Sequence, residues 1–196
     1  MKEIPRIILI CCEGKTEKSY FSILREVYRG SRRLEVEILG EKGQHKALID
    51  KTVESRKELL KKYSLELDEI SSWAVCDDDG MQLSFHQLQK YAQKSAVGLA
   101  FSRPQFEAYL IQHFERSKCV DQRVLYEKLT AYANSYGLEG NYEDNKADLR
   151  WLEIAVFNTP KMLDTAVLNA ELRKSSNEKL FLTVQDLVKE LRKHSI

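Results

Sequence analysis

Four short apolar runs separated by helical patterns constrain this chain more than any other feature. Ile7 to Cys12 is continuously apolar, the pattern of a strand covered on both faces. Leu34 to Leu39 alternates apolar with acidic residues, which predicts a half-exposed strand. Trp73 to Cys76 and Val97 to Phe101 complete the set. Helical periodicities fill the intervals at about 16–28, 45–63 and 84–95, the first with Thr16 as its N-cap. Ser102-Arg103-Pro104 is read as the start of another helix, with Pro104 in its first turn. Strands alternating with helices predict an α/β fold, a mostly parallel sheet with helices on both faces.

Beyond Lys118 the pattern changes to helices alone, at about 121–136 (stopped by Gly137), 146–157, 160–173 and 184–193. The expected organisation is therefore an α/β core over residues 1–118 and a helical C-terminal region, 119–196, packed on it. Gly137 to Asn145 is the most loop-like stretch. No run approaches the length of a membrane span, and Ile7–Cys12 is too short for a signal peptide. Lys+Arg number 31 against 30 Asp+Glu, a net charge of +1 that argues against indiscriminate coating of nucleic acid while leaving local contact open. Cys11, Cys12, Cys76 and Cys119 form no C-x-x-C pair and read as buried reduced thiols of a cytoplasmic protein.

Parallel α/β sheets collect functional groups beyond the carboxyl ends of their strands. The first strand runs out into Glu13, with Glu17 four residues on in the next helix. The third ends in Asp77-Asp78-Asp79-Gly80. Continued extended chain would put Asp77 and Asp79 on one side and Asp78 on the other. Adjacent carboxylates at the end of a buried strand repel one another, and a hard cation such as Mg²⁺ or Mn²⁺ relieves that repulsion. Asp and Gly are also ordinary turn residues, so the triplet alone fits a polar turn equally well. Glu13-Gly14-Lys15-Thr16 lacks the upstream glycine and spacing of a phosphate loop.

These strings carry a resemblance. Glu13-Gly14-Lys15-Thr16-Glu17 followed by Tyr20-Phe21 resembles the E-G-x-T-E-x-x-Y-F start of the RloB-like family, which has a Toprim-like fold related to OLD-family nucleases. Trp73 to Asp79 is similar to its D-x-D strand end. Ser102 to Glu115 resembles a third motif, S-N-P-x-F-E-x-W-L-x-x-H-F, with Arg103 in place of Asn and Tyr109 in place of Trp. The resemblance implies a Mg²⁺- or Mn²⁺-dependent nuclease cleaving DNA or RNA, an effector of bacterial antiphage defence working beside an ABC-type ATPase. It implies Glu13, Glu17, Asp77 and Asp79 as metal ligands, with Glu13 also suited to acid/base work. Two metal ions about 4 Å apart stabilise both the attacking and the leaving oxygen of such a displacement.

Glu107, at the head of the helix after the fourth strand, is expected to join these four as a catalytic carboxylate. His113 reads as a buried hydrogen-bonded histidine. Lys15, Ser102 and Arg103 are candidates for phosphate contact, the last two at an expected helix N-terminus. Arg25, Arg29, Arg32 and Arg33 with Tyr28 have the make-up of a phosphate-tracking patch, and Lys57, Lys61 and Lys62 form a second group. Lys146 and Lys161 are candidate transition-state cations. Two rival readings keep the same residues: another Toprim-type phosphotransfer on a nucleotide, and a non-catalytic nucleic-acid- or partner-binding subunit. Setting aside the five proposed site carboxylates leaves the remainder moderately basic.

Overall fold

The computed structural model describes residues 6–28, 34–41 and 43–193. The strands among them form one five-stranded sheet of order β2-β1-β3-β4-β5. The elements are β1 (Arg6–Cys12), α1 (Lys15–Val27), β2 (Leu34–Leu39), α2 (His45–Tyr63), β3 (Ile70–Asp77), α3 (Phe85–Lys94) and β4 (Gly98–Arg103), followed by α4 (Glu107–Leu110), α5 (Gln122–Ser135), α6 (Arg150–Asn158), α7 (Lys161–Glu171), β5 (Phe181–Leu182) and α8 (Val184–Lys193). β1 pairs in parallel with both β2 and β3, so the alternation of strands and helices yields the expected mostly parallel α/β sheet.

By packing, the chain divides into two compact units. One holds the residues up to Cys76, Gly80–Ala100 and the chain from Asp186 onward; the other holds Asp77–Asp79 and Phe101–Gln185. These packing units interleave along the chain.

In the first unit, Ile7 to Cys12 are all buried, so both faces of β1 are covered, as its unbroken apolar run requires. α1 packs against β1 and β2 through Tyr20, Phe21, Ile23 and Leu24, and α2 packs against β1. α1 starts one residue earlier than expected, with Gly14 rather than Thr16 at its N-cap. Arg56, buried in α2, donates to Ala96 O (2.6 Å) and Ser95 O (2.9 Å) and so satisfies carbonyls left open at the end of α3. α3 itself opens on a reciprocal cap between Ser84 and Gln87. Gly98 is required by a close approach: a Cβ there would lie 2.5 Å from the Trp73 ring.

In the second unit the sequence reading needs two corrections. A fifth strand exists, Phe181–Leu182, antiparallel to β4, with Ser102 opposite Leu182 and Arg103 opposite Phe181. Two residues carry no detectable period, so it was invisible to pattern. This pairing draws Ser102 and Arg103 into β4, so they are not at a helix N-terminus. The helix expected from Pro104 begins instead at Glu107, after a cis Arg103–Pro104 peptide, and gives way at Ile111–His113 to a 3₁₀ turn. Phe101 N–H donates to Thr183 Oγ1 (2.9 Å) and Thr183 N–H to Phe101 O (2.8 Å), extending the β4–β5 tie.

The remaining helices follow expectation with shifted ends. Asp121 caps α5 by accepting from Val124 N–H at 3.0 Å, and Gly137, with φ 93°, follows its end. The helix expected from 146 begins at Arg150, preceded by a 3₁₀ turn at Glu143–Asn145.

Candidate functional site

Beyond β1, Glu13 N–H donates to Val75 O at 3.0 Å, so the parallel β1–β3 pairing continues one residue past the strand. Glu13 is half-buried, with Oε2 withdrawn from solvent. Glu17 lies in the first turn of α1, where the helix dipole favours a carboxylate, and is only 6% exposed. Its carboxylate folds back over Gly14, where a Cβ would lie 2.8 Å from Glu17 Oε2. Gly14 is thus the residue that leaves room for it. Burial, and then the Glu17 charge, hold the Cys12 thiol well above its ordinary value. All four cysteines are thiols.

In the second unit, Asp77 ends β3 and the chain turns at once rather than continuing extended. Asp79 N–H donates to Asp77 Oδ1 (3.0 Å), and Gly80 takes φ 64°. The alternation that would put Asp77 and Asp79 on one side therefore does not apply; a turn relates them, with Asp79 exposed and Asp77 half-buried. Asp78 is gripped by Arg103 through Nε (3.0 Å) and Nη2 (3.2 Å).

Glu107 is 6% exposed and receives the hydroxyl of Tyr142 on Oε1 at 3.1 Å. Its carboxyl is held above the usual carboxylate range by burial. Its own backbone N–H, Tyr142 and the Lys146 charge oppose that rise, and the Asp77 charge adds to it. The second unit thus brings Asp77, Glu107, Tyr142 and Lys146 into one electrostatic neighbourhood. Lys146 Nζ lies 2.5 Å from Tyr126 Oη and 4.3 Å from that ring's centroid. Burial works against its charge, but Tyr126 and the carboxylates of Glu107 and Glu143 outweigh burial and hold the ammonium above its ordinary value.

Sequence reasoning missed Tyr142 and Tyr126. Tyr142 lies in the stretch read as most loop-like, and a large aromatic among polar residues was its one signal. It is fully buried, its ring 5.7 Å from Tyr126 and 6.3 Å from Trp151. His113 is buried with Nδ1 3.0 Å from Leu110 O, as expected, and burial lowers its pKa to about 4. Tyr109, at the motif's aromatic position, is buried edge-on to His113.

The cationic candidates are dispersed. Lys15 is exposed, 3.7 Å from Glu41, and Arg25 is exposed beside Glu26. Lys57, Lys61 and Lys62 are exposed on α2, and Lys161 is exposed at the start of α7. Arg29, Arg32 and Arg33 lie outside the described residues. Ser102 is fully buried.

The donor set has the right chemistry for a hard cation. It consists of carboxylate oxygens, the donor type that a hard cation prefers. Among the described residues, no group of three or more His, Cys, Asp and Glu side chains is gathered as it stands into a metal-holding cluster. Also among them, no helix is long and apolar enough to cross a membrane.

No curated protein and no solved structure matches the chain. The family model described as RloB-like protein matches residues 8–191 and takes in every site carboxylate described above. The chain belongs to the RloB-like family.

Proposed function

We propose that this chain is a Toprim-like, Mg²⁺- or Mn²⁺-dependent nuclease that cleaves phosphodiester bonds of DNA or RNA. The observation that carries this reading is that two neighbouring parallel strands, β1 and β3, both run out into carboxylates at their carboxyl ends, Glu13 and Asp77. Membership of the RloB-like family supports it. Glu13, Glu17, Asp77 and Asp79 would hold the metal in the family manner. The bound cation would neutralise charge on the phosphate and lower the pKa of water. Glu107, kept toward its neutral form by burial, is suited to donate a proton and is held in orientation by Tyr142.

The same family resemblance supports a role as an effector in bacterial antiphage defence, cytoplasmic and paired with an ABC-type ATPase. The test is incubation of the purified protein with plasmid DNA and with total RNA in Mg²⁺, Mn²⁺ or EDTA, beside an Asp77→Ala/Asp79→Ala variant. Metal-dependent cleavage lost in the variant is the expected result. Cleavage that survives in the variant overturns the site assignment. Absence of cleavage even with the cognate ATPase present transfers the chain to the class of non-catalytic binding subunits.

A further inference from the structure

Arg103 stands where the family motif carries Asn, and it holds the middle of the three aspartates. Its guanidinium makes a two-pronged grip on Asp78, Nε to Oδ2 at 3.0 Å and Nη2 to Oδ1 at 3.2 Å. A third nitrogen, Nη1, donates to Ser176 O at 2.9 Å, in the exposed segment between α7 and β5. The guanidinium carbon also lies 5.8 Å from the Phe101 ring centroid. Two contacts besides Asp78 therefore hold the guanidinium.

The pair is open to exchange. The Arg103 and Asp78 side chains are 21% and 31% exposed, so water and solutes reach the pair. The planar fork that fits a carboxylate fits a phosphate equally well. Two residues on, the buried Gln105 side-chain nitrogen finds no acceptor among the described residues.

We propose that Asp78 is an internal placeholder for a substrate phosphate. Arg103 binds a backbone phosphate of the nucleic acid, and Asp78 occupies that fork in the empty protein and competes with the substrate for it. The chain thereby carries a built-in brake on binding beside its own carboxylate turn. This rests on the nuclease reading in taking the phosphate from a nucleic acid, but its test needs no catalysis.

Binding of a fluorescent single-stranded oligonucleotide is measured by anisotropy in EDTA at low salt, for the wild type, Asp78→Asn, Arg103→Gln and the double variant. Circular dichroism checks that each is folded. Asp78→Asn is expected to tighten binding about three- to tenfold in the wild-type background and to have no effect in the Arg103→Gln background. Equal tightening in both backgrounds, the signature of a mere change in net charge, overturns the inference. So does weaker binding by Asp78→Asn, the signature of a purely structural brace, and so does absence of binding by every form. The nuclease reading fails separately, when metal restores no cleavage in protein that binds the oligonucleotide.

Discussion

Tyr142 reaches across 35 positions of sequence to donate its hydroxyl to Glu107 Oε1 at 3.1 Å, and both side chains are buried. Burial raises the pKa of a carboxyl so enclosed, while Tyr142 pulls the other way. The pairing ties the segment between α5 and α6, which has little regular structure, to the residue that opens α4.

Glu107→Gln keeps an acceptor for Tyr142 and removes the ionisation. Because the folded-state pKa of Glu107 is raised, its favourable contribution is complete below the ordinary carboxylate range and is lost as pH rises through the folded value. The variant is therefore expected to melt higher than the wild type at pH 8, with the difference closing as pH falls below that range. Thermal melts across pH check this, and a variant less stable at pH 8 contradicts it. Under the proposed nuclease function, cleavage is expected to fall at least about a hundredfold.

His113 has the opposite sign. Burial lowers its pKa from 6.5 to about 4, so the contribution of the neutral ring is full above 6.5 and is lost as pH falls through 4. Between those values the wild type is expected to lose roughly 2–4 kcal/mol through this group. Urea titrations of the wild type and His113→Gln at pH 7.0 and 4.5 test it, the variant showing the shallower loss. Equal slopes refute the assignment.

Arg56→Ala removes two hydrogen bonds to the carbonyls at the end of α3 and is expected to cost about 2–3 kcal/mol in chemical denaturation. Arg56→Lys recovers part of that, since an ammonium has the charge but not the fork.

Gly14→Ala separates function from stability. The added Cβ would meet the far end of the flexible Glu17 side chain at 2.8 Å, and the Gly14 backbone is extended (φ −123°), so the fold has little to lose. Displacing that carboxylate is expected to weaken Mn²⁺ binding at least about tenfold while unfolding shifts by under about 1 kcal/mol. Unchanged Mn²⁺ affinity sinks the role given to Glu17.

Elements with strong local signals were legible in the sequence. β1 is a continuous apolar run because both of its faces are covered, and α2 and β2 have the bounds their periodicity gives. Legibility failed where distant chain decides local structure. Phe181–Leu182 is a strand only because Ser102 and Arg103 lie alongside it, and the helix expected from Pro104 starts at Glu107. At the site, the carboxylates announced themselves by type and position at strand ends. Their partners did not: Tyr142 for Glu107 and Arg103 for Asp78 are matched across 35 and 25 positions by packing alone. The turn after Asp77 is set by Asp79 N–H and Gly80, which replaced strand alternation as the relation between Asp77 and Asp79.

The role proposed for Glu13, Glu17, Asp77 and Asp79 is to hold a divalent cation. Titration of Mn²⁺ into the purified protein, followed by loss of the free-ion electron paramagnetic resonance signal, tests it most directly when wild type and Asp77→Asn/Asp79→Asn are run together. Saturable binding by the wild type that the double variant loses, with the fold intact by circular dichroism, is the expected result. Binding retained in full by the variant, or none by the wild type, contradicts the account.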